Sequence, residues 1–225
     1  MKTQRITPAL LALLILPLLT STLQAEDRVS EPFLGILLHE ITRTEPRPLV
    51  IRVAEIDLGA PGLSFRVTPS NGDPNGDAPG DPNFETTRQT TLQFLKDQHA
   101  QLAINASFFT SKKDPTTGQD TLDTDDIGLV VSRGDKVSTF EKGWPAIDIA
   151  KDNTPTIIRG PDGGFTVTDP PGLVPYNAVT GSDQIVTDGQ PLEDQPDRKF
   201  FTTAHPRTAI GITNHNTLLL VTVDG

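Results

Sequence analysis

The sequence contains no cysteine, so disulfides and a lipid-anchored N-terminal cysteine are excluded, and no CxxC motif can exist. Histidines are few. His39, His99, His205 and His215 form no spaced ligand motif, so a histidine-built zinc site is not expected. The single Trp144 and the single Tyr176 read as walls of a core or cleft rather than a stacking platform for nucleic-acid bases. GxGxxG, P-loop, GxSxG and HExxH are also missing. Their absence removes the main sequence support for dinucleotide, nucleoside-triphosphate, α/β-hydrolase and zinc-protease readings. Serine, histidine and aspartate all occur, but no spacing singles out a triad.

The one long apolar run, Ala9 to Leu19, follows Lys2 and Arg5 and precedes Leu23-Gln-Ala25. A basic start, a short apolar stretch and a small residue read as a secretory signal peptide, residues 1–25, cut after Ala25. The run is too short for a comfortable membrane span. Removing it takes away two basic and no acidic residues, leaving residues 26–225 as one domain with a net charge of −12 and length enough for a sizeable core. Such a charge argues against nucleic acid or an anionic membrane as partner, and no stable membrane insertion is expected after signal cleavage. A local arginine can still hold a phosphate inside a cleft. Export without disulfides points to a secreted or periplasmic protein of a bacterial envelope.

Twenty prolines and 18 glycines suit short strands joined by many turns. Strands are predicted at 35–38, 49–58 and 63–67. Within the Pro-, Gly- and Asn-rich stretch 69–82, Asp73, Asp77 and Asp81 recur every four residues. This reads as a solvated loop; calcium is the other reading, although no glutamate closes an EF-hand. A helix is predicted over 87–98, with Leu92, Phe94 and Leu95 as its apolar face. A short buried strand at 102–104 ends at Asn105, whose amide either braces a neighbouring loop or bonds a ligand hydroxyl. Residues 112–126 are polar and read as a loop. Hairpins are predicted over 127–138, turning at Arg133-Gly-Asp135, and over 145–158, turning at Lys151 to Thr154. A helix or tight bend is expected after Tyr176, then a strand at 184–186 and a turn at Asp188-Gly189. One helix among many strands predicts an α+β fold with a mixed, mainly antiparallel sheet.

The last 22 residues read as a hairpin, with Asn214-His215-Asn216 supplying the turn chemistry. A two- or four-residue loop sets Arg207 opposite Asp224 and places Thr208, Ile210, Ile212, Leu219, Val221 and Val223 on one face. A three-residue loop sets Arg207 against Val223 and spreads apolar side chains over both faces. The cleaner segregation favours the first register. The Arg207–Asp224 pair is then either an edge ion pair worth about 0–1 kcal/mol or part of a site.

The ordered segments Asn105-Ala-Ser-Phe-Phe109, Gly128-Leu-Val-Val-Ser132, Pro145-Ala-Ile-Asp148, Gln184-Ile-Val-Thr-Asp-Gly-Gln190, Pro206-Arg-Thr-Ala-Ile-Gly211 and Val223-Asp-Gly225 carry a family likeness. Over residues 50–225 the chain resembles the phosphodiester glycosidase family. The resemblance implies a secreted hydrolase that cleaves a sugar-1-phosphodiester, of the N-acetylglucosamine-1-phosphodiester kind, in envelope or extracellular glycoconjugates. It frees the sugar and leaves a phosphomonoester. Arg207 is then the cationic fork for phosphate, and Asp224 the carboxylate facing an oxocarbenium-like carbon. Asn105 is the group that holds a sugar hydroxyl or acetamido, with Thr208 and Gly225 completing the substrate-binding set. Asp126 and Asp148 are lesser candidates for a second carboxylate, and no metal or cofactor is implied. In the family the pattern continues past Asp-Gly into a helix and a Leu-Asp-Gly-Gly-Gly-Ser-type segment that this sequence does not contain. Residues 26–225 are therefore expected to form a C-terminally shortened domain. The alternative is a non-catalytic exported module that binds glycan or calcium.

Overall fold

The computed structural model describes residues 26–72, 84–140, 144–159, 172, 174–192 and 202–225. The predicted signal peptide and the Asp73, Asp77 and Asp81 repeat lie outside these residues. Among the described residues the regular structure is mostly antiparallel strand. One five-stranded sheet contains β1 (Glu26–Phe33), β2 (Ile36–Arg43), β3 (Leu49–Asp57), β14 (Arg207–Ile212) and β15 (Thr217–Val223), in the order β1-β2-β3-β15-β14. A second five-stranded sheet contains β7 (Val130–Ser132), β8 (Asp135–Ser138), β9 (Pro145–Ile149), β10 (Pro155–Arg159) and β11 (Asn177–Thr180), in the order β10-β9-β11-β7-β8. A three-stranded sheet sets β4 (Thr86–Thr87) and β5 (Phe108–Lys113) on either side of β6 (Asp120–Ile127), and β12 (Val186–Thr187) pairs with β13 (Gln190–Pro191).

The period-two pattern of β9 explains how the two large sheets share a core. Ile147 and Ile149 pack with Ile36, Ala54, Ile56 and Leu218 of the first sheet. Ala146, one residue before Ile147, points the other way, into a second cluster with Leu129, Val131, Phe140, Ile158 and Ala178. A strand buried on both faces reads as a continuous apolar run, and Pro145-Ala-Ile-Asp-Ile149 does so except at Asp148. Gly128 lets the chain pass beside β11. Its φ is +88°, and a Cβ there would stand 2.6 Å from Thr180 Cγ2 and 2.8 Å from Thr180 Oγ1.

The α+β expectation is corrected to a mostly β architecture of several antiparallel sheets. The one α-helix with bounds inside the described residues, α1 (Thr91–Asp97), has only seven residues. Thr90 begins it: its hydroxyl accepts from the Gln93 N–H at 3.1 Å, so the predicted helix starts four residues late. Residues 63–67 and 102–104 are not strands; they cross the edge of the core as irregular chain and supply Leu63, Phe65 and Leu102 to it. Residues 112–126, predicted as loop, instead include the end of β5 and most of β6. The stretch after Tyr176 is the strand β11 rather than a helix or bend. The hairpins β7–β8 and β9–β10 form with their predicted turns, and Arg133 adopts a positive φ of 54° ahead of Gly134.

The closing hairpin forms in the disfavoured register. Arg207 stands opposite Val223 and Ile210 opposite Leu220. The loop is three residues long, with Asn216 at φ 58° and the Thr213 N–H donating to the Thr217 carbonyl at 3.0 Å. Asparagine tolerates the left-handed region that such a loop requires. Thr208, Ile210 and Ile212 thus share a face with Leu218 and Leu220, not with Leu219, Val221 and Val223. The segregation rule presumes one wet face. β15 is an interior strand, paired to β3 as well as β14, and carries apolar residues on both faces.

Candidate functional site

Three chain segments meet at the open end of the β14–β15 hairpin. Asp224 follows β15, and its backbone N–H donates to the Val50 carbonyl at 3.1 Å. Its carboxylate Oδ1 accepts the Val50 N–H in return, at 2.5 Å. This closes the ladder with β3. The one-residue register difference removes Arg207 from the position directly opposite Asp224. The guanidinium folds toward the preceding chain, where it donates to the Thr203 carbonyl at 2.9 Å and the Pro206 carbonyl at 3.2 Å.

Gly225 lies flat against the other strand entry. A Cβ at this position would collide with the Pro206 ring and with the carbonyl carbon of His205, so only glycine allows Asp224-Gly225 to run beside His205-Pro206-Arg207. The third segment arrives from a separate part of the chain: Thr208 Oγ1 donates to Asn105 Oδ1 at 2.8 Å. Asn105 does brace a neighbouring strand, and it does so beside Arg207. Asn105, Arg207, Thr208, Asp224 and Gly225 are therefore gathered at one end of the first sheet.

A cleft of about 760 Å³ includes Asn105 in its wall. Its wall includes Asn105, Ser107, Phe109, Asp126 and Ile210, but stops short of Arg207, Thr208, Asp224 and Gly225. Arg207 and Asp224 thus are not part of the wall, whereas Asn105 is, together with Arg66 and Arg88. Ser107 is fixed as well, its Oγ accepting the Thr180 N–H at 3.1 Å. The wall mixes apolar side chains with many polar ones, among them Arg66, Arg88, His99 and Thr124.

The two lesser carboxylate candidates separate. Asp148 is buried in β9, and its Oδ1 accepts the backbone N–H groups of Tyr176 at 2.8 Å and Asn177 at 3.0 Å. Burial raises its pKa despite these bonds. It braces the start of β11. Asp126 instead lines the cleft, and its backbone N–H donates to Glu85 Oε1 at 2.8 Å.

Glu85 is a group that sequence reasoning missed. It is wholly buried, and Oε2 has no hydrogen-bond partner. Desolvation, above all, pushes its pKa up to about 8; the Asp126 N–H bond opposes this, and the nearby charges of Asp125 and Asp126 add to it. Glu85 is therefore neutral around pH 7. It directly follows a stretch rich in Pro, Asp and Gly in a Phe-Glu-Thr-Thr run, and nothing in that pattern marks it as buried. Among the described residues no cluster of His, Asp and Glu suits a metal ion, and no helix is long and apolar enough to cross a membrane.

No curated protein and no solved structure matches the chain. A family model, that of the phosphodiester glycosidases, matches residues 98–225. The match takes in more than half of the sequence and includes Asn105, Arg207, Thr208, Asp224 and Gly225. With these five residues drawn together at one sheet end, the chain belongs to the phosphodiester glycosidase family.

Proposed function

We propose that the chain is an exported hydrolase that cleaves sugar-1-phosphodiesters of the N-acetylglucosamine-1-phosphodiester kind in envelope or extracellular glycoconjugates. The observation that carries this reading is the Thr208–Asn105 hydrogen bond. It joins an amide on the cleft wall to the strand entry that bears Arg207.

In this reading Arg207 exchanges its bonds to the Thr203 and Pro206 carbonyls for the two free oxygens of the phosphodiester, a geometry that suits a guanidinium fork. Asn105 holds a hydroxyl or the acetamido group of the sugar, and Thr208 keeps that amide oriented. Asp224 places negative charge near the anomeric carbon as it becomes oxocarbenium-like. The C1–O bond breaks and its electron pair stays on the phosphate oxygen. Water supplies the hydroxyl at C1 and its proton goes to a base. The products are the free sugar and a phosphomonoester. A phosphate leaves without a proton donor of its own, so Arg207 does the work that a general acid does at an ordinary glycoside.

Export rests on the basic, apolar and small-residue pattern of residues 1–25, and is checked by N-terminal sequencing of protein recovered from outside the cytoplasm. The methyl phosphodiester of N-acetylglucosamine-1-phosphate tests the activity. Wild type releases free N-acetylglucosamine; Arg207→Ala and Asp224→Asn each lower kcat/KM about 100-fold or more. Saturable sugar binding without turnover would instead favour a non-catalytic glycan-binding module.

A further inference from the structure

The geometry points to Asp126 as the second carboxylate of this hydrolase, the base that takes the proton from the attacking water, with Glu85 as the positioning residue that fixes it in the cleft wall. The assignment rests on the phosphodiester glycosidase reading above and names the base which that reading leaves open.

One face of the three-stranded sheet forms part of the cleft. Leu122, Thr124 and Asp126 alternate along β6, and all three line the cleft, so they share one side of the strand. Their cross-strand partners line it too: Phe109 stands opposite Asp126 and Thr86 opposite Thr124. Asp126 is the one acidic residue among the described cleft wall. Asn105 lies four residues before Phe109 in the chain leading into β5, the strand that Asp126 pairs with. A sugar held by Asn105 would sit in the cleft that Asp126 also lines.

The peptide of Asp126 is held from three sides. Glu85 Oε1 accepts its N–H at 2.8 Å, Ser138 Oγ donates to its carbonyl at 3.0 Å, and β5 pairs with it across the sheet. Glu85 and Ser138 are both wholly buried, and Glu85 leaves one oxygen without a hydrogen-bond partner. Burying a carboxyl with half its hydrogen bonding unmade costs stability. Such a cost, concentrated on one backbone position, is the pattern of a side chain held for function. The neutral form of Glu85 is the working one, because ionisation puts a third charge beside Asp125 and Asp126.

The balance is simple. Asp126 as carboxylate removes a proton from water as oxygen attacks C1. The C1–O electrons move to the phosphate, and the proton then passes from Asp126 to solvent. The phosphodiester supplies the leaving group, and no other reactant is needed.

The test uses the full chain and the methyl phosphodiester of N-acetylglucosamine-1-phosphate, with release of free sugar as the readout. Asp126→Asn, which keeps the shape, is expected to lower kcat about 100-fold or more with little change in KM. Asp126→Ala is expected to regain turnover when formate is added, an outcome that a purely structural role would not give. Wild-type kcat is expected to fall as pH rises past 8, and Glu85→Gln, which still accepts the Asp126 N–H but cannot ionise, is expected to flatten that fall. Glu85→Leu lowers kcat about 10-fold at unchanged KM. Wild-type-like kcat in Asp126→Asn, or a folded Asp126→Ala that formate does not restore, overturns the assignment while leaving the glycosidase reading in place. A wild-type chain that binds the phosphodiester but releases no sugar overturns both.

Discussion

Among the described residues, two buried carboxyls, Glu85 and Asp148, have raised pKa values and tie stability to pH. The Glu85 pKa is raised to about 8 and that of Asp148 is raised as well, both chiefly by desolvation. A group whose folded pKa lies above its unfolded value binds more protons in the folded state. Its contribution is fully present below the unfolded pKa and is lost as pH rises through the folded pKa. For Glu85 that window runs from its ordinary 4.5 to about 8. Wild-type melting temperature is therefore expected to fall steadily from pH 5 to pH 8. Glu85→Gln removes most of the slope, which thermal melts at several pH values check; an unchanged slope would place the titration elsewhere. Asp148→Ala strands two backbone N–H groups and is expected to cost about 2–4 kcal/mol, read by denaturant unfolding. Asp148 entered as a lesser candidate for a second carboxylate, but its task of bracing β11 was not legible, because β11 itself reads as a helix or bend. Glu85 gave no sign, since burial depends on which sheet comes to lie over it.

At the level of elements, short strands with Gly-containing turns were legible and polar strands were not. Arg133-Gly134 and Asp188-Gly189 announce their hairpins through residues that accept positive φ. β6 reads Asp-Thr-Leu-Asp-Thr-Asp-Asp-Ile; without apolar alternation it resembles a loop, yet its face becomes a cleft wall instead of core. The β14–β15 hairpin shows a different failure. Its existence and position follow from the sequence, but its register does not, because an interior strand with two apolar faces offers no segregation to choose by. Asn216 decides it by occupying φ 58°. Asn216→Gly should leave stability nearly unchanged, whereas Asn216→Val should cost about 1–2 kcal/mol. Equal stability of the two variants, measured by denaturant midpoints, would mean the loop geometry is different.

For the whole molecule, the family motifs were readable in order, and the model match over residues 98–225 establishes the family they suggested. Their meeting point was not readable. Asn105 and Thr208 are 103 residues apart, and Asp224 reaches the same sheet end by capping β3 rather than by facing Arg207. The cleft is equally a product of tertiary structure, since its edge is formed by the irregular 63–67 and 102–104 chain that periodicity had assigned to strands. The central claim is that the bond broken lies on the sugar side of the phosphate. Hydrolysis of N-acetylglucosamine-1-phosphate methyl ester in water labelled with heavy oxygen tests it most directly, with products analysed by mass spectrometry. The account predicts the label on the anomeric hydroxyl of the released sugar and none in the methyl phosphate; label in the phosphate would contradict it.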